Sequence, residues 1–203
     1  RQPSAWEWVN SKTYGKVETD AMIWRQLMTA ADPVRKRMAL ALSEIFVVSG
    51  TEIGSSWPTA MMAQYWDMLA NGVTANFRQL LEDVTLNPAM GFYLNTRGNR
   101  KEDASGRQPD ENYAREVMQL MTIGLYQLEG DGTVRTGADG QPIETYVQND
   151  VTNLARVFTG YDLDIRSSER NAFTPPGASY TIETNAWTTR PMAYKASNHS
   201  MLE

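Results

Sequence analysis

The chain of 203 residues contains no cysteine, a single histidine and no long hydrophobic run. The absence of cysteine excludes disulfides, thiol nucleophiles and cysteine-ligated metals. One histidine is too few for a histidine-rich zinc site, and we expect neither a metal nor a cofactor. The longest apolar run, from Met38 to Val48, is interrupted by Ser43 and Glu44. It is too short to span a membrane, which takes about 20 apolar residues.

An excess of positive charge is also missing. Nineteen Lys and Arg face twenty-four Asp and Glu, giving a net charge of −5. Proteins that bind nucleic acid usually carry a basic stripe, because much of their affinity comes from phosphate neutralisation. The basic clusters at residues 35–37 and 97–101 are short and are followed by acidic residues. We therefore expect no nucleic-acid partner. The nucleophile-elbow, P-loop, dinucleotide-binding and zinc-protease motifs are absent as well.

Helical periodicity dominates the residues that are present. Apolar spacing, together with proline and capping signals, predicts a mainly α, bundle-like domain. The predicted helices cover about residues 20–30, 33–48, 58–70, 75–86, 88–94, 111–122 and 148–158. We predict an irregular lead-in at 1–18, a helical domain at 19–160 and an irregular strand and loop segment at 161–203.

Two segments interrupt the predicted helices. Residues 95–109 form a long polar loop, a feature that is often functional in compact domains. At about 131–146, two short extended runs flank Gly137–Gly140, which predicts a β-hairpin insertion.

Three of the predicted helices have a defined apolar face that we expect to be buried. These faces are Val34, Met38, Ala41, Leu42, Ile45 and Val48; Phe77, Leu80, Leu81 and Val84; and Tyr113, Val117, Leu120 and Met121.

The densest polar cluster lies at the start of the 111–122 helix. Glu111 and Arg115 are four residues apart and can pair on one helix face. A carboxylate at a helix N-terminus is stabilised by the helix dipole, which lowers its pKa and opposes a general-acid role for Glu111. The simpler interpretation is an ion pair at a helix start, tying the polar loop to the core.

Candidate site residues follow from this cluster and from the single histidine. If the protein is an enzyme, the catalytic candidates are Glu111, Glu116 and His199. The binding candidates are Arg97, Asn99, Arg100, Asn112 and Arg115.

Several stretches together resemble one bacterial family in the same order. They are residues 37–49, 65–70, 76–81, 87–94, 99–101, 109–120, 123–125 and 155–160. The most specific is Glu111-Asn-Tyr-Ala-Arg-Glu116, and the resemblance is to the DUF1800 family, a domain of unknown function. It implies a mainly helical fold and an exported, periplasmic or extracellular, bacterial protein. Genes of the family often neighbour those of the DUF1501 family, which implies a DUF1501-family protein or a cell-surface component as partner.

Two features qualify what the resemblance implies. Many members carry a Trp-His-x-His-Phe segment where this chain has Leu42–Phe46, so no role of those histidines transfers to Ser43 or Ile45. Family chains are also longer, and no signal peptide is visible after Arg1. We expect this sequence to be a fragment.

Three functions remain open from the sequence. The favoured one is a non-catalytic binding or assembly domain that contacts a surface or partner component through the 95–109 loop and the Glu111 helix. A second is a hydrolase-like enzyme that uses a Glu, His and Arg cluster on an anionic or sugar substrate. A third is a purely structural domain in which this cluster only anchors the loop.

Overall fold

A computed structural model of the chain describes Ala5 and residues 19–202. Apart from Ala5, the predicted lead-in at 1–18 lies outside the described residues. The chain divides into two compact units. Unit 1 comprises Arg1–Tyr93 and Asp162–Ala193, and unit 2 comprises Leu94–Tyr161 and Tyr194–Glu203. The domain limits drawn from the sequence stay a prediction.

Helices make up most of the regular structure that is described in unit 1. They are α1 (Thr19–Thr29), α2 (Pro33–Ile45), α3 (Pro58–Gly72), α4 (Phe77–Leu86) and α5 (Pro88–Tyr93), followed after Asp162 by 3₁₀ turns at Ser167–Glu169 and Asn185–Thr189. The mainly helical fold is thus confirmed. Among the residues that the structure describes, no helix combines the length and hydrophobicity needed to cross a membrane.

Proline and asparagine set several of these helix starts. Proline occupies the first position of α2, α3 and α5, where its missing N–H costs no hydrogen bond. At α4 the cap is Asn76, whose side chain accepts a 2.9 Å hydrogen bond from the Gln79 N–H. The helix therefore begins two residues later than the predicted start at about residue 75.

The core of unit 1 forms around α3. The Tyr65 hydroxyl donates to the Phe46 carbonyl at 2.7 Å in a buried hydrogen bond. The Trp57 indole donates to the Glu183 carbonyl at 2.9 Å, and its ring packs 4.9 Å from that of Phe173. These contacts join α3 to chain segments on both sides of it in sequence.

The predicted buried face of α2 is wrong. Val34 is 70% exposed, Met38 44% and Ile45 50%, and Ala41 is exposed as well. The helix instead buries Ala39, which lies on another face. The apolar residues of α2 do recur at helical spacing. Among the described residues, however, no element packs against the face that they form. Phe77, also predicted inward, is exposed on α4, whereas Leu80 and Val84 are buried as predicted.

In unit 2 the predicted 111–122 helix changes register midway. Helix α6 (Asn112–Glu116) continues into a π-helical turn at Val117–Met121, which Gly124 closes by donating to the Met118 carbonyl. The wider π turn rotates the following side chains, so Leu120 is exposed although its period placed it inward. The core forms where α6 packs on α7 (Gln148–Val157), with Ala114, Met118, Val151 and Ala155 buried.

Residues 125–145, here called the β arm, fold back on themselves twice. Antiparallel bridges join Tyr126 to Glu144, Leu128 to Val134 and Thr136 to Pro142. The backbones of residues 127, 135 and 143 close a ring of hydrogen bonds of 2.9–3.0 Å. The bridge around Gly137–Gly140 confirms the predicted hairpin, and the pairing with 126–128 extends it.

The C-terminal segment has short pairings, as predicted. Strands β1 (Tyr161–Asp162) and β2 (Ala193–Tyr194) form a two-stranded sheet, and a 3₁₀ turn at Ala196–Asn198 follows. Gly160 donates to the Asn99 carbonyl and accepts from the Lys195 N–H, so it ties the polar loop and the chain end together. Its φ is +92°, and a Cβ there would lie 3.0 Å from the Lys195 carbonyl oxygen and 3.1 Å from the His199 Cβ.

Gly160→Ala should destabilise unit 2 more than a matched glycine substitution does. Gly140 is the control, since its φ is +76° but a Cβ there meets nothing within 4 Å. We expect Gly140→Ala to cost about 1 kcal/mol for the left-handed backbone alone. The backbone contacts at Gly160 should add about 1–3 kcal/mol. Urea unfolding followed by circular dichroism measures both variants, and equal losses would contradict the crowding.

Candidate functional site

The Glu111 carboxylate accepts hydrogen bonds from three side chains. Arg115 Nη2 donates to its Oε2 at 3.0 Å, and Gln148 Nε2 donates to the same oxygen at 2.8 Å. Thr152 Oγ1 donates to Oε1 at 2.8 Å. Arg115 comes from α6, whereas Gln148 and Thr152 come from α7. The predicted Glu111–Arg115 pair therefore exists, within a larger network that joins two helices.

These hydrogen bonds hold Glu111 ionised. They come chiefly from Thr152, with Gln148 and the Arg115 charge adding to them, and they keep the pKa of Glu111 below its ordinary value of 4.5. A general acid needs a raised pKa near the working pH. Glu111 is thus suited to holding Arg115, and not to donating a proton.

Arg115 lies in the wall of a pocket of about 270 Å³. The pocket is also lined by Gln119, Leu125, Tyr126, Glu144, Tyr146, Val147, Gln148 and Val151. Arg115 Nη2 is shared between Glu111 and Gln148 Oε1, the latter at 3.2 Å. Its Nε and Nη1 bond to no other described residue, and its side chain is 40% exposed. The site therefore presents a fixed guanidinium with unused donors.

The pocket combines this cation with an aromatic and an amide group. The Tyr126 ring is exposed at the pocket, and the Gln119 side chain makes no hydrogen bond to the described part of the chain. Glu144 adds one exposed carboxylate. Tyr and Arg are enriched where protein surfaces bind partners, because they combine contact area with directed hydrogen bonds.

Glu116, the second predicted carboxylate, is not part of this network. It follows Arg115 on α6 and points to a different side of the helix. Its Oε2 is buried and accepts no hydrogen bond among the described residues. No hydrogen bond or ion pair joins it to Glu111 or His199 within residues 19–202.

His199 belongs to a separate set of contacts. Its Nδ1 lies 2.9 Å from the Thr159 carbonyl oxygen and 3.2 Å from Thr159 Oγ1. Its ring packs edge-on against Tyr194, with centroids 5.3 Å apart. A carbonyl only accepts, so Nδ1 carries the proton. His199 fastens its segment to Thr159, which follows α7, and among the described residues it bonds to neither candidate carboxylate.

The binding candidates in and after the polar loop differ in their burial and in their hydrogen bonds. Asn99 is buried, and its side chain bonds to both the N–H and the carbonyl of Asp110, at 2.9 and 3.2 Å. It therefore fixes the loop end in front of α6. Arg97 and Arg100 are exposed. Asn112 is exposed too, and its N–H donates to Asp110 Oδ1 at 2.9 Å.

Sequence reasoning missed the residues supplied by distant segments. Gln148 and Thr152 belong to no local motif. The only sequence feature that could have pointed to them as partners of Glu111 was their position on the polar face of α7. The sequence places Glu144 in an extended run of the predicted hairpin and Gln119 within the predicted 111–122 helix, and it assigns Tyr126 to no element. Among the described residues, no three carboxylates or imidazoles come close enough to hold a metal ion.

One family model matches the chain, over residues 5–202, and its description is "Protein of unknown function (DUF1800)". The match contains every candidate residue named above. No curated protein and no solved structure matches the chain.

Glu111→Gln should reduce stability in a pH-dependent way. Because the folded pKa is lowered, the carboxylate stabilises the fold above pH 4.5, and this is lost as the pH falls through the folded pKa. We expect a loss of about 1–2 kcal/mol near pH 7, since hydrogen bonds to a charged group are replaced by neutral ones. The difference from wild type should shrink between about pH 5 and pH 2.

Urea unfolding over that pH range measures this effect. Glu144→Gln is the matched control, because this exposed carboxylate of the same unit makes no ion pair or side-chain hydrogen bond among the described residues. A difference between wild type and Glu111→Gln that stays constant with pH would contradict the role given to the Glu111 charge.

Proposed function

The chain belongs to the DUF1800 family, and we propose that it is a non-catalytic binding domain of an exported bacterial protein, with the Arg115 pocket as its contact site. The observation that carries the proposal is the fixed guanidinium at the pocket wall. Glu111 and Gln148 hold Arg115 Nη2, while its Nε and Nη1 stay available.

The chemistry of the pocket supports a partner group that carries negative charge. A guanidinium with unused donors suits a carboxylate or phosphate, which it can bind through a charge-assisted hydrogen bond. The Gln119 amide can add a hydrogen bond, and the Tyr126 ring can cover an apolar part of the partner. Arg115 pays little conformational entropy on binding, because Glu111 already holds it in place.

The placement of the catalytic candidates favours binding over hydrolysis. Glu111 is held ionised by three donors, and Glu116 has an oxygen buried away from them. His199 is bonded to Thr159. An acid and a base for hydrolysis must both reach one substrate, and these three groups share no contact among the described residues.

Family context suggests what the partner is. Genes of this family often neighbour those of the DUF1501 family, so we propose a DUF1501-family protein, or a component of the cell surface, as the partner. In this proposal, an anionic group of the partner binds Arg115. The complex forms in the periplasm or at the cell exterior.

Binding of a purified DUF1501-family protein from the same genome, measured by biolayer interferometry, tests the proposal. Isolated cell-wall material is the second probe, in a sedimentation assay. We expect Arg115→Ala and Gln119→Ala each to weaken binding by about tenfold, as residues at the centre of an interface commonly do. Gln119→Ala removes no hydrogen bond within the described part of the chain, so it separates loss of binding from loss of fold.

Arg78→Ala is the control, since Arg78 is an exposed arginine that makes no ion pair among the described residues. It should bind like wild type. Failure of both probes to bind, or binding that both pocket variants leave unchanged, would overturn the proposal. Turnover of a glycan or ester substrate that Glu116→Gln abolishes would overturn its non-catalytic part.

A further inference from the structure

A pocket of about 250 Å³ lies wholly in unit 1 and shares no lining residue with the Arg115 pocket. Its walls come from α3, from the junction of α4 and α5, and from residues 188–191. The Met192 N–H donates to the Leu86 carbonyl at 2.7 Å, so a backbone hydrogen bond ties the third wall to the second. Part of the lining is apolar, namely Met68, Leu86, Pro88 and Pro191.

Asn87, at the junction of α4 and α5, brings an unused hydrogen-bond donor to this pocket. The residue is only 7% exposed and lines the pocket. Its Oδ1 accepts a 2.9 Å hydrogen bond from the Ala89 N–H, which identifies the other side-chain atom as Nδ2. Nδ2 bonds to no described residue, although buried polar groups nearly always have a partner. It is not sealed off from solvent, so a ligand oxygen in the pocket can reach it.

Two adjacent carboxylates at the end of α4 add negative charge. Glu82 and Asp83 both line the pocket and are exposed. The Glu82 side chain makes no ion pair or hydrogen bond among the described residues, and Asp83 accepts only one, from Gln79 Nε2 at 3.0 Å. Gln64 on the opposite wall is likewise without a side-chain partner in the described chain. The polar lining thus offers three carboxylate oxygens, one amide donor at Asn87 and a second amide.

The cations near the pocket leave this charge uncompensated. Arg190 lines the pocket, but all five of its N–H groups are used by the carboxylates of Asp164 and Glu169 and by two backbone carbonyls. Those two carboxylates together outweigh its charge. Arg78 lies one helical turn before Glu82, yet it does not line the pocket and makes no ion pair among the described residues. The pocket therefore favours a cationic group.

We propose that this pocket binds a primary ammonium group next to a carbonyl, as found at the free N-terminus of a peptide or in an amino acid amide. The ammonium pairs with Glu82 and Asp83, whose oxygens accept its three N–H donors. The neighbouring carbonyl oxygen accepts from Asn87 Nδ2, and the side chain of the ligand packs on Met68 and Leu86.

The donor at Asn87 separates this ligand class from a metal ion. A bare cation carries no acceptor for an N–H, whereas an α-ammonium always has a carbonyl oxygen beside it. Among the described residues, no three carboxylates or imidazoles come together to hold a metal ion. Pockets for drug-sized ligands usually measure about 300–1,000 Å³, so this smaller one suits one or two amino acid residues.

The proposal does not depend on the Arg115 pocket, which lies in unit 2 and takes an anionic group. Leucinamide is the probe, and amide NMR spectra of the purified, ¹⁵N-labelled chain report its binding. We expect a Kd of about 1 mM or below, given the size of this ligand. The signals of residues 82–87 should shift most.

Matched ligands test the two recognised groups separately on the wild-type chain. N-acetyl-leucinamide lacks the ammonium charge, and 3-methylbutylamine lacks the carbonyl. Each should bind about fivefold more weakly than leucinamide, or worse, because each loses a hydrogen-bonded group. The peptide leucyl-glycyl-glycinamide distinguishes the sources of the ligand. Tighter binding than leucinamide supports a peptide N-terminus, and equal binding supports a single amino acid amide.

Variants of the pocket locate these effects. Glu82→Gln and Asp83→Asn keep the side-chain size and should each weaken leucinamide binding about fivefold. Glu52→Gln is the control, since this exposed carboxylate of unit 1 does not line the pocket and makes no ion pair among the described residues. Asn87→Asp keeps an oxygen for the Ala89 N–H but replaces the donor. With this variant, leucinamide should lose its advantage over 3-methylbutylamine.

Four results would overturn the proposal. They are no spectral change at about ten times the expected Kd, equal binding of leucinamide and its acetylated form, shifts confined to residues outside the pocket, and displacement of leucinamide by an equal concentration of calcium chloride. Circular dichroism spectra equal to wild type show that the variants are folded. The ligand series uses the wild-type chain, so it decides the question even where a variant does not fold.

Discussion

The carboxylate of Glu111 is the group on which the candidate site depends. It is placed one residue before α6, where the helix dipole favours a negative charge. From there it accepts hydrogen bonds from Arg115, Gln148 and Thr152. One anion thereby joins α6 to α7 and holds two residues of the pocket wall, Arg115 and Gln148.

This arrangement explains why a charged cluster need not be a catalytic one. The same hydrogen bonds that orient Arg115 lower the pKa of Glu111 and remove it from proton transfer near neutral pH. The histidine is used elsewhere, in fastening the chain end at Thr159. What remains available at the pocket is a held cation, an amide, an aromatic ring and the Glu144 carboxylate, and the proposed binding role uses the first three.

The sequence predicted the local features of this structure well. Proline-led helix starts, the hairpin turn at Gly137–Gly140 and the Glu111–Arg115 pair all depend on residues within a few positions of one another. The partners on α7 lie 37 and 41 positions away from Glu111, so local spacing carried no sign of them. The π turn after Glu116 was missed because a period of 3.6 residues assumes a regular helix.

The error at α2 has a different origin. Its apolar period is real, but periodicity shows only that a face can be buried, and not which element buries it. In unit 2, Leu120 lies on the apolar face that the sequence predicts, yet it is exposed. The π turn changes the register of the helix and moves this side chain to the surface. The α2 case shows that tertiary partners decide which amphipathic face is buried, and Leu120 shows that a local change of helix type decides it as well.

The central claim is that Glu111 serves binding by holding Arg115. A double-mutant cycle on partner affinity, with Glu111→Gln, Arg115→Ala and the two combined, tests it most directly. If Glu111 acts through Arg115, Glu111→Gln weakens binding in the wild-type background and has no further effect once Arg115 is alanine. Strictly additive losses, or an affinity that neither substitution changes, would contradict the claim.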